Sequence, residues 1–140
     1  MGSRATIRKL VSSASPLESS IGFSRAVRVG PWVVVAGTAP IAVGGGVACP
    51  GDVYGQTIRC LEIVQQAVAD SGLSLNSVVR TRVMLIDISR WQEAARAHGE
   101  FFAAIKPACT FIEVKGSGHT PTTTEQGRAL ILAFLNHPYR

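Results

Sequence analysis

Four side chains in this sequence stand out as candidates to grip an anion or move a proton without a bound metal: Arg25, His98, Cys109 and Glu113. Cys109 could be a nucleophile, but that chemistry needs a base within hydrogen-bond reach, and no histidine stands at a fixed spacing from it. A buried strand thiol is the competing reading. His98 titrates near neutral pH and could act as acid or base, yet it falls on the apolar stripe of a predicted helix, where a satisfied core or interface histidine is the alternative. Arg25, in Gly22-Phe23-Ser24-Arg25-Ala26, offers a planar donor fork to an anion, or else is a solvated strand arginine. Glu113, on a predicted strand among apolar neighbours, either accepts a proton or pairs across strands with Arg80 or Arg82.

Metal and redox chemistry find no comparable footing. His119 and His137 lie in polar or terminal stretches without metal-ligand spacing. Cys49, Cys60 and Cys109 are odd in number and widely separated, which argues against a disulfide framework and against a CxxC centre. No metal and no cofactor is expected. Gly44-Gly45-Gly46 could cradle a phosphate, but no GK[ST] follows; with Pro50-Gly51 it predicts an irregular surface loop over 41–52.

The scaffold that must position these groups is organised around Trp32-Val33-Val34-Val35-Ala36. Opened by Gly30-Pro31 and closed by Gly37, this β-branched run predicts a central strand buried on both faces. Residues 25–29 mix charged and apolar side chains, as a half-buried antiparallel neighbour would. Residues 5–11 predict an edge strand and 12–20 a connecting loop. Asp52 can cap a helix running to about Ser71, with Ile58, Leu61, Val64 and Val68 as its apolar stripe and Gly72 as its stop. Residues 78–86 alternate as a strand does. Ser89 and Gln92 have capping-box spacing ahead of a second helix carrying Trp91, Ala95, His98, Phe102 and Ile105, which Pro107 ends. Strands over 108–114 and 129–135 complete the order, which predicts an α+β domain with two helices on one face of a mixed sheet.

The chain of 140 residues suits a single domain over 1–140. Hydrophobic residues make up 46% and charged ones 16%, with no apolar run near the roughly 20 residues that span a bilayer. Two helices cover one sheet face only, so the surplus apolar surface is expected between subunits. The net charge of +5 comes from scattered arginines without an aromatic-interleaved basic run, so nucleic acid is not an expected partner. The start lacks the apolar core of a signal peptide, and a cytoplasmic setting is expected.

Several local motifs, in this order and spacing, resemble the Rid (YjgF) family of reactive-intermediate deaminases, which hydrolyse enamines and imines. They are Gly22–Ala26, Val35-Ala36-Gly37-Thr38, Gly55-Gln56-Thr57, Val78–Asp87, Phe101-Phe102 and Lys106–Val114. The resemblance implies a chorismate-mutase-like fold, a homotrimer, and ligand clefts between subunits. It implies substrate-binding roles for Phe23, Arg25, Ala36, Gly37, Thr38, Trp91 and Thr110, with Cys109 and Glu113 as catalytic candidates. The departures bear on function. Active family members carry an arginine where Cys109 stands, a tyrosine at Phe23 and a serine at Ala36; the arginine would grip a substrate carboxylate. The strand expected at 129–135 has no acid where the family normally has a glutamate, and the stretch from Gly116 onward does not read like the family. A non-catalytic trimeric small-molecule binder is therefore the rival to the hydrolase, and a ribonuclease the third reading.

Overall fold

The computed structural model describes residues 7–114 and 131–136. Six strands form one sheet in the order β1-β2-β3-β6-β4-β5: β1 (Arg8–Val11), β2 (Ala26–Val29), β3 (Trp32–Thr38), β4 (Val78–Leu85), β5 (Ala108–Glu113) and β6 (Ile131–Asn136). Every pairing is antiparallel except β4 with β5. The mixed α+β architecture expected from the sequence is thus present, and β3 lies in the interior of the sheet.

Two long helices, α2 (Val53–Asp70) and α3 (Trp91–Phe102), cover one face. Asp52 accepts from the Gly55 amide at 3.0 Å and closes the first turn of α2. A Cβ at Gly55 would stand 2.6 Å from Asp52 Oδ2, so this glycine inside a helix is the condition of the cap. Gly72, at φ +89°, ends the helix in the left-handed region. Leu61, Val64 and Val68 of α2, with Ala94 and Phe102 of α3, pack on Val33, Val35, Val83 and Leu85 of the sheet. Burial of these apolar side chains is the main force holding the layers together. At the surface, Tyr54 donates to Glu100 and lies under the Arg96 guanidinium, joining the two helices again.

Four expectations are corrected. The segment read as a loop over 12–20 contains a short helix, α1 (Pro16–Ile21), which Ser15 caps and Gly22 ends at φ +83°. Pro16 in its first turn is preset for that geometry and signals a helix start, not a break. The start of α3 is organised by Asp87: its carboxylate accepts from the Ser89 amide and hydroxyl, shaping a 3₁₀ turn over Ile88–Arg90, and the spacing of Ser89 and Gln92 plays no capping part. The buried residues of α3 are Ala94, Ala97 and Phe102, so Trp91 and Ala95 lie off the buried stripe. The central strand is buried on one face only within the chain, where Trp32 is 45% exposed and Val34 46%.

The uncovered face is largely apolar along the first three strands, with Arg8 level with Val29 as a charged exception. Leu10 faces Val27, Val27 faces Val34 and Val29 faces Trp32 across the ladders, and Leu10, Val29, Trp32 and Val34 are all exposed. No helix among the described residues is long and apolar enough to cross a membrane.

Candidate functional site

A bulge in β3 sets the geometry around Arg25. Val35 pairs with residue 134 and Thr38 with residue 132, so β3 spends three steps where its partner spends two. The extra residue falls at Ala36-Gly37 and switches the alternation, which brings Thr38 to the helix face with Val33 and Val35. Arg25, immediately ahead of β2, meets this bulge. Its Nη1 donates to the Gly37 carbonyl at 2.8 Å and Thr38 Oγ1 at 3.1 Å, and its Nε to Ser13 Oγ at 3.4 Å. The Phe23 ring lies 5.5 Å from its guanidinium carbon.

Only 6% of Arg25 is exposed. Burial pushes its pKa below the ordinary arginine value, with the field of Glu18 acting in the opposite direction. It is thus neither a solvated strand arginine nor part of an open surface, and Phe23, Arg25, Ala36, Gly37 and Thr38 form one group around the bulge. The Cys60 thiol beneath them donates to the Thr38 carbonyl, and its pKa is raised chiefly by burial.

The remaining candidates form a second group toward the β5 edge of the sheet. Cys109 is exposed on β5, so the buried-thiol reading is corrected: among the described residues β5 is the edge strand, with a neighbour on one side only. Thr110 faces the other side of the sheet and accepts from Arg80 Nη2 at 2.7 Å. Glu113 does not pair with Arg80 or Arg82 in the structure; its carboxylate accepts from the Ile88 amide at 3.1 Å, anchoring the turn before α3. Trp91 packs edge-on against Phe111 with ring centroids 6.0 Å apart. His98 shares a hydrogen bond with Thr81 Oγ1 at 2.9 Å and lies against Phe102 at 4.6 Å between centroids, the arrangement of a satisfied core histidine. Burial lowers its pKa and favours the neutral ring.

The two groups do not meet within one chain. Through the ladders Ala26 is level with Val35, Val35 with Thr81 by way of residue 134, and Thr81 with Cys109. The bulge and Cys109 therefore stand at similar heights, but three strand spacings apart, roughly 14 Å. Among the described residues no cluster of His, Cys, Asp or Glu could hold a metal. Residues 115–130, which open the stretch that departs from the family pattern, lie outside the described residues.

Sequence reasoning missed the cavity beside Arg25. It lies between α1, the 41–47 loop and α2, has a volume of about 710 Å³, and is lined by both Arg25 and Arg59. Arg59 gave no signal because it sits singly on a helix. The loop that brings the wall round is closed by the Ile41–Val47 bridge, with Gly44, Gly45 and Gly46 all at positive φ.

Comparison with known proteins places this geometry. Residues 13–126 match the family model described as endoribonuclease L-PSP. The chain is 41% identical over 106 residues to the uncharacterized protein SCO2049 of Streptomyces coelicolor, covering 76% of this chain and 78% of that one. A RutC family protein of Pyrococcus abyssi is 35% identical over 92 residues, covering 66% and 72%. The crystal structure of Rv2704 from Mycobacterium tuberculosis, a member of the YjgF/YER057c/UK114 family, superposes with a TM-score of 0.79 at 36% identity, covering 94% of this chain and all of that one.

Proposed function

The chain belongs to the YjgF/Rid family, and from that premise we propose that it is a Rid-type hydrolase of small enamine or imine metabolites, working without a cofactor at clefts between the chains of a homotrimer. The observation that carries this reading is the division of the candidate residues. The bulge group on β2 and β3 and the Cys109–Thr110 group on β5 stand three strand spacings apart in one sheet, whose open face is exposed and largely apolar along β1 to β3. Packing that face against identical chains buries it and gives the edge group of one chain a bulge group to meet on its neighbour.

The chemistry asked of such a cleft is modest. Water adds to the imine carbon, the C–O bond forming as the C=N π pair moves to nitrogen. The resulting carbinolamine then releases ammonia and leaves the carbonyl product, protons passing through water. Phe23 supplies an apolar wall, and the exposed backbone at Gly37 a polar edge. Thr110, oriented by Arg80, supplies a hydroxyl that can position water.

A second reading, a non-catalytic trimeric small-molecule binder, is favoured by one observation: an exposed thiol, Cys109, stands where active members carry the carboxylate-gripping arginine, while His98 and Glu113 are held in structural bonds. One assay separates them. An imine is generated from an amino acid by an amino-acid-metabolising enzyme, and 2-oxoacid release is followed with and without the protein. Acceleration supports the hydrolase. No acceleration across several amino acids, with retained binding of the 2-oxoacid by calorimetry, establishes the binder. RNA binding at near-physiological salt would revive the nuclease reading, which has only the dispersed charge behind it.

A further inference from the structure

Arg25 presents an energetic problem within the chain. A guanidinium this deeply buried ordinarily has a carboxylate partner, because desolvating a lone cation costs several kcal/mol. The ion pairs among the described residues are Arg59 with Glu62 and Arg90 with Glu93, and neither involves Arg25. The acid whose field it feels, Glu18, is engaged by Ser12 and Ser13 and reaches Arg25 only through the Ser13 hydroxyl. Its Nη1 and Nε are used and its Nη2 makes no hydrogen bond among the described residues.

Arg59 approaches the same cavity from α2. Its Nε donates to the Ile41 carbonyl at 2.6 Å and its Nη1 to Glu62 at 3.3 Å, which fixes the fork and leaves Nη2 without a partner among the described residues. Among the described residues the cavity is lined by these two arginines and by Ser13, Ser15 and Thr38, with no aspartate or glutamate. Glu62 and Asp70 line an adjoining cavity of about 360 Å³ that shares Ser13, Arg25, Arg59 and Ile63 with the first. The remaining wall is mostly apolar, with Ile41, Val47 and Ile63 among it. A space of this size suits a small ligand. Two cationic forks in an otherwise apolar wall fit a planar monoanion with a hydrocarbon body better than a multiply charged phosphate, which would need more donors.

We propose that the cavity is a second binding site, contained within one chain, for a small amphiphilic carboxylate whose head is held by Arg25 and Arg59 and whose apolar body lies against Ile41, Val47 and Ile63. The site opens on the helix side of the sheet; it shares Arg25 and Thr38 with the bulge group but adds Arg59 and uses neither Phe23 nor Cys109.

The test is calorimetric titration of the full chain with acetate, butyrate, hexanoate and octanoate, with hexanamide and inorganic phosphate as controls. Affinity is expected to rise along the carboxylate series and to be absent for hexanamide. Arg59→Gln should raise the hexanoate dissociation constant about tenfold or more, the scale of losing one charge-assisted contact. Ile63→Trp, which fills the cavity, should abolish binding. Because Arg25→Met removes the buried bonds that hold the bulge, Arg59→Gln is the deciding variant, with circular dichroism confirming its fold. It should leave imine hydrolysis unchanged, so failure of one site does not read as failure of the other. No carboxylate binding at millimolar concentration, binding unaffected by Arg59→Gln, or tighter binding of phosphate than of hexanoate would each overturn the proposal.

Discussion

Replacing Thr81 by valine isolates the bond that commits His98 to the core. Thr81 is fully buried on β4 and its Oγ1 lies 2.9 Å from His98 Nε2. Valine keeps the shape and removes the hydroxyl. The lost bond is worth about 0.5–1.5 kcal/mol net, and a ring nitrogen left half-buried without a partner costs about 1–3 kcal/mol in desolvation. The added methyl regains part of this, so the variant should lose about 1–2 kcal/mol in urea unfolding. Thr81→Val with His98→Phe removes both partners and should recover most of that loss, a coupling that a double-mutant cycle reads directly. The same pair sets a pH dependence. Burial lowers the folded-state pKa of His98 below its ordinary 6.5. The folded chain then binds fewer protons than the unfolded one between the two values, so this contribution is present above the ordinary value and declines as pH falls from there toward the lower folded value. His98→Phe should flatten that part of the profile. If Thr81→Val is as stable as the parent and the acid decline persists without His98, the histidine is not held as described.

Three further substitutions probe the scaffold around the sites. Asp52→Ala should cost about 1 kcal/mol in urea unfolding through loss of the cap to Gly55, while Asp52→Asn should cost little. Gln56 is fully buried on α2 with neither Oε1 nor Nε2 hydrogen-bonded among the described residues, so Gln56→Met should raise stability by about 1–2 kcal/mol; a drop would mean the amide has a partner. Gly72→Ala forces a side chain into φ +89° and brings its Cβ to 2.9 Å from Arg28 Nη1. It should cost about 1–2 kcal/mol, measured as a lower thermal midpoint.

The order of strands and the two long helices were legible because each rests on local signals: the valine run at 32–35, the Asp52 cap with Gly72 beyond it, and the alternation over 78–86. The short helix at Pro16 was not, since six residues give too little periodicity to set against a serine-rich, loop-like composition. The site was less legible for a different reason. Phe23, Arg25, Gly37 and Thr38 were found from motifs, but motif order carries no information about a bulge. It is the bulge at Ala36-Gly37 that turns Thr38 to the helix face and draws Arg25 inward. Nor could spacing reveal that Cys109 and the bulge stand level but apart, because that depends on the residue 131–136 strand inserting between β3 and β4.

The mass of the particle in solution tests the central claim most directly, because a site divided between two groups three strand spacings apart in one sheet requires more than one chain. Sedimentation velocity at micromolar concentration should give a species of three times the 14.8 kDa chain. Val34→Glu places a charge at the centre of the exposed apolar face, where an isolated chain would feel at most about 0.5 kcal/mol. In the trimer it should break the assembly and abolish imine hydrolysis while leaving a folded monomer by circular dichroism. A parent protein that sediments as a stable monomer and still hydrolyses imines would contradict the account.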